Sequence, residues 1–77
     1  MSSRDLIERL NAALGGSDFA VREGEAGCML VERRGYLRGI WHCDGARYAW
    51  IPGGYSEPAA VFDSEEAVIG FMVSQAR

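Results

Sequence analysis

Two cysteines, one histidine and eleven acidic residues are the side chains of this 77-residue chain that could carry chemistry. A nucleophilic centre needs a thiol or hydroxyl, a base and an orienting group brought together. His42 is the sole histidine, and its neighbour Cys43 points to the other face of any strand that holds both. Zinc would have Cys28, His42, Cys43 and Asp44 to choose from, but no CxxC or HxxxH spacing sets them on one site. The GGY of residues 53–55 lacks the lysine and the strand–glycine–helix setting of a phosphate loop. Glu65 and Glu66 are sequential, so on a helix they diverge by about 100°, and helix-start electrostatics accounts for them. The expectation is a protein without catalysis, cofactor or metal.

Charge points instead to binding. All eight basic residues are arginine. Residues 1–31 carry three arginines against five acids, and residues 51–77 carry one against four. Residues 32–50 reverse this, with Arg33, Arg34, Arg38 and Arg47 against Glu32 and Asp44. The net charge of −3 argues against generic nucleic-acid binding. No apolar run reaches the roughly 18 residues of a membrane span, and MSSRDLIERL lacks the apolar core of a signal peptide. A cytoplasmic location and reduced, packing cysteines are the expectation.

The elements that must position these groups centre on Tyr36–Ile51, where two aromatic runs flank Asp44-Gly45, a hairpin signal. Before it, residues 3–14 predict a helix. Ser2 or Ser3 caps it, Leu6, Ile7, Leu10, Ala13 and Leu14 form its apolar stripe, and Gly15-Gly16 ends it. Phe19 to Arg22 and Cys28 to Arg33 read as strands, with Arg34-Gly35 turning into a third over 36–42 and a fourth over 47–51. Pro52-Gly53-Gly54 stops the sheet, and 52–62 reads as irregular. Asp63 opens a second helix in a capping box with Glu66. Ala67, Val68, Phe71 and Met72 give that helix an apolar face, which Ile69 and Val73 widen toward either a core or a second copy. The expected architecture is one α+β domain of two layers, α-β-β-β-β-α, with a four-stranded antiparallel meander.

Two-residue turns at Asp44-Gly45 and Arg34-Gly35 would set Trp41 opposite Tyr48, Gly39 opposite Trp50 and Cys28 opposite Trp41. One sheet face then holds Cys28, Leu30, Leu37, Gly39, Trp41, Cys43, Tyr48 and Trp50, the candidate core, with Gly39 leaving room for an indole. The other holds Met29, Val31, Arg33, Tyr36, Arg38, Ile40, His42, Arg47 and Ile51. In this register Cys28 and His42 lie on opposite faces, which removes the last Cys–His pairing. Arg33, Tyr36, Arg38, His42 and Arg47 form a candidate binding face, since interfaces enrich arginine and aromatics. It could also stack bases and pair phosphates, although no RNP-type consensus is present.

A small, acidic α+β chain of this kind resembles the phage- and mobile-element-encoded inhibitors of bacterial defence, the anti-CRISPR proteins, in size, charge and build. No residue motif carries the likeness. It implies stoichiometric binding to another protein, a CRISPR effector subunit. Glu57, Asp63, Glu65 and Glu66 would act there as a DNA mimic in a nucleic-acid channel, or the Arg/Tyr face would block assembly. A small regulatory or nucleic-acid-binding module and a homodimer through the second helix are the alternatives.

Overall fold

The structure, a computed structural model, describes residues 3–76. Helix α1 spans Ser3–Ala13, followed by strands β1 (Phe19–Glu23), β2 (Met29–Arg33), β3 (Tyr36–Asp44), β4 (Arg47–Pro52) and β5 (Ala60–Phe62), and by helix α2 (Glu65–Ala76). The capping expected of Ser2 or of the Ser3 side chain lies outside the described residues. The strands pair in chain order, each antiparallel to the last. The α+β meander is therefore as expected, with one strand more. Residues 60–62, read from sequence as irregular, pair Ala60 with Trp50 and Phe62 with Tyr48. The Ala59 amide donates to the Trp50 carbonyl, which starts this short ladder.

Both helices lie on one face of the sheet. Leu6 and Leu10 of α1, with Leu14 just after it, meet Val68 and Met72 of α2 over Val21, Met29, Val31, Trp41 and Trp50 of the sheet. Around Trp41 the rings gather: Trp50 at 5.1 Å, Phe62 at 6.0 Å and Phe71, edge-on, at 5.7 Å between centroids. Tilted and edge-on rings at this spacing add to area burial. Trp41 Nε1 is buried with no hydrogen-bond acceptor among the described residues. Ile69 packs against this core and Val73 is half-buried, so the wide apolar face of α2 is largely used within the fold.

Local contacts fix the ends of the elements. Ser64 Oγ, not Asp63, accepts from the Ala67 amide and caps α2, because the helix begins at Glu65. Asn11 of α1 acts as a surrogate strand for the edge strand β1. Its Nδ2 donates to the Val21 carbonyl and its Oδ1 accepts from the Val21 amide, both at 2.9 Å. Arg9 of α1 reaches Glu65 and Glu66 at the start of α2 and ties the two helices together.

Two features correct the expected registers. The hairpin between β3 and β4 turns on Gly45 and Ala46, with Asp44 opposite Arg47 and Trp41 opposite Trp50. Gly45 has φ 61° and so fits the first central position of a II′ turn, whose twist suits the flanking strands. Each strand's pairing moves by two residues, an even number, and the faces of β4 and of β3 from Gly39 onward stay as expected. Between β2 and β3 a β-bulge intervenes. Val31 is opposite Gly39 but Glu32 is opposite Leu37, which leaves Arg38 as the extra residue. One inserted residue turns β2 over relative to the rest of β3. Met29 and Val31 are consequently core, whereas Cys28, Leu30 and Leu37 are not.

Gly39 keeps its expected role. Trp50 lies directly on it, and a Cβ built there would meet Trp50 Cη2 at 2.5 Å and the Ile51 carbonyl oxygen at 2.9 Å.

Candidate interaction face

Among the described residues, no helix packs on the far side of the sheet. By register this face carries Arg22 of β1, Leu30 and Glu32 of β2, Leu37, Ile40 and His42 of β3, Arg47, Ala49 and Ile51 of β4, and Val61 of β5. Leu30, Ile40, Ala49 and Ile51 form a half-buried apolar centre. Leu37 and Val61 continue it outward with 49% and 54% of their surface exposed. The rim is polar: the Arg22 guanidinium grips Glu32 with two hydrogen bonds of 3.0 and 3.2 Å, and His42 and Arg47 are exposed.

The five residues expected to share an Arg/Tyr face do not share one. His42 and Arg47 lie on the open face. Arg33 lies on the helix side with its guanidinium over the Phe19 ring at 5.5 Å, and Tyr36 pairs with it in the ladder. Arg38, displaced by the bulge, lines a small cleft of about 220 Å³ with Arg33, Trp50, Met72 and Gln75. The bulge is the physical reason for this division: two consecutive residues of β3, Arg38 and Gly39, both lie toward the helices.

The acidic set is also divided. Glu65 and Glu66 converge on Arg9, and Glu65 retains only 12% of its side-chain exposure. The Glu66 carboxyl is held below its usual range, first by a backbone amide at the helix start and then by Arg9, while Glu66 in turn raises Arg9. Asp63 borders a shallow cleft with Arg47, Val61 and Phe62. Glu57 is exposed in the loop before β5, beside Tyr55 and Pro58.

The bulge has one further result that the expected register hid. Cys28 and His42 lie on the same face, with Cys28 Sγ 3.6 Å from His42 Nδ1. Cys43 lies on the helix side, where burial, and secondarily Cys28, pushes its thiol above the usual value. The sequence signal that could have revealed the change is the single extra residue in β3, which no turn motif announces. Among the described residues, no group of three or more His, Cys, Asp or Glu could hold a metal ion. No described helix is long and apolar enough to cross a membrane.

Comparison with protein-family models, with curated proteins and with solved structures gives no match for this chain.

Proposed function

We propose that this protein acts by stoichiometric binding to another protein, through the helix-free face of its sheet. The observation that carries the reading is the apolar centre on that face, Leu30, Ile40, Ala49 and Ile51 with the exposed Leu37 and Val61, inside a rim of mixed charge. An apolar centre with a polar rim is the usual composition of a protein interface. The partner carried over from the likeness to anti-CRISPR inhibitors is a CRISPR effector subunit, and the mechanism is occlusion of one of its assembly surfaces.

Two observations favour this mechanism over the others considered. Phosphate mimicry needs a row of free carboxylates, and Glu65 and Glu66 are committed to Arg9 within the fold. A base-stacking platform needs several exposed rings on one surface, whereas Trp41, Trp50, Tyr48 and Phe62 pack on the helix side and the two exposed rings, Tyr36 and Tyr55, stand apart in the β2–β3 ladder and the loop before β5. The Arg/Tyr binding module loses its continuous surface for the same reason as above.

The test is affinity capture of the tagged protein from a bacterial lysate carrying CRISPR effectors, with and without nuclease, beside a Leu37→Glu, Val61→Glu double variant. The reading expects one defined effector subunit, retained after nuclease with wild type and lost with the double variant, whose circular dichroism stays that of wild type. Retention by the folded double variant, or loss of the partner on nuclease treatment, refutes it.

A further inference from the structure

On the open face, Cys28 stands just before β2 with His42 of β3 beside it, the pair that the β-bulge aligns. Sγ and Nδ1 are 3.6 Å apart, within hydrogen-bond range for sulfur. Cys28 also lines an open cleft of about 530 Å³, with Leu30 and Ile40 as its apolar floor and Arg22, Glu23 and Glu25 as its polar border. The second thiol, Cys43, has no such base and is partly enclosed beneath the helices. Among the described residues, Cys28 thus has both a base and an open cleft beside it, whereas Cys43 is half-buried against the helices with no histidine partner.

We propose that Cys28 is a thiol–disulfide exchange site, with His42 as its general base and small disulfides of low-molecular-weight thiols as its co-substrates. A bare Nδ1 takes the thiol proton as Sγ attacks one sulfur of the disulfide in line with its S–S bond. The Sγ–S bond forms while the S–S bond of the reagent breaks. Cys28 is oxidised to a mixed disulfide, and the departing half of the reagent is reduced. The leaving thiolate takes the proton held by the imidazolium, so His42 returns to its starting state. The cleft beside Cys28 is where the transferred half would lie. This inference is independent of the docking reading, because it concerns the chemistry of one pair rather than what covers the sheet.

The experiment uses the full chain and oxidised glutathione at neutral pH, quenched at intervals and mapped by mass spectrometry. The two cysteines separate cleanly, since arginine cleavage places Cys28 in residues 23–33 and Cys43 in residues 39–47. General-base assistance is expected to make Cys28 react about tenfold faster than Cys43, and faster than Cys28 in the urea-unfolded chain. His42→Ala, at an exposed position, is expected to slow Cys28 about tenfold and leave Cys43 unchanged. Equal rates at the two cysteines, a Cys28 rate no higher folded than unfolded, or a Cys28 rate unaltered by His42→Ala would each overturn the proposal.

Discussion

Gly39→Ala tests the packing on which the whole sheet register rests. A Cβ at this position would lie 2.5 and 2.6 Å from Trp50 Cη2 and Cζ2, and 2.9 Å from the Ile51 carbonyl oxygen. The indole cannot retreat without disturbing its neighbours, because Trp50 is 7% exposed and packs on Trp41 and Phe71. Overpacking of this kind costs about 1–3 kcal/mol. Replacing glycine restricts the unfolded chain and offsets roughly 0.4–1 kcal/mol of that. The net expectation is a loss of about 1–2 kcal/mol, large beside the roughly 5 kcal/mol of a small domain. In urea, with a slope of about 1 kcal/mol/M for so small a protein, the midpoint falls by about 1–2 M. Tryptophan fluorescence reports the transition directly, since both indoles are in the core. Gly70→Ala on α2 is the matched control: nothing lies within 4 Å of its built Cβ, and helix propensity predicts a gain of about 0.5–1 kcal/mol. A Gly39→Ala midpoint at or above wild type would show that Trp50 does not sit on Gly39, and the pairing of β2, β3 and β4 would have to be redrawn.

Asn11→Ala removes both hydrogen bonds to Val21 and leaves the edge strand without its surrogate partner, so a loss of about 1–3 kcal/mol is expected by chemical denaturation. Faster amide exchange at Val21 should accompany it. Arg9→Ala should lower stability at neutral pH and lose that effect in acid. The Glu66 carboxyl is depressed in the fold, so its contribution is present above the unfolded value and disappears as pH falls through the lower folded one. A wild-type-minus-variant difference that stays constant down to the acid range would contradict this. Glu65→Lys with Glu66→Lys places two cations against Arg9, and thermal unfolding should show a less stable protein; adding Arg9→Glu should recover part of the loss. Failure of the triple variant to recover would mean that the ion pairs do not join the helices.

The element order was legible in the chain wherever local chemistry dominated. The stripe from Leu6 to Leu14 defined α1, the arginine–glycine pair at 34–35 defined a turn, and Gly39 announced its own close contact. The fifth strand was not legible because Ala60–Phe62 is only three residues long and follows Pro58. Its strand geometry comes from pairing with β4 rather than from periodicity. The candidate surfaces were legible by residue type but not by grouping. Glu65 and Glu66 read as free acids because nothing local shows that Arg9, 56 and 57 residues earlier, folds back onto them.

Composition and pattern by themselves determined an α+β meander with a helix at each end and a tryptophan-rich hairpin at its centre. Which side of that sheet each residue of β2 faces was decided by the tertiary structure alone. Side chains alternate with a period of two, so the single extra residue at Arg38 exchanges every assignment on the paired strand. That exchange takes Met29 and Val31 into the core, sends Leu30 to the open face and sets Cys28 beside His42. A bulge is the outcome of two strands packing under a shared core, and no window of sequence along either strand contains it.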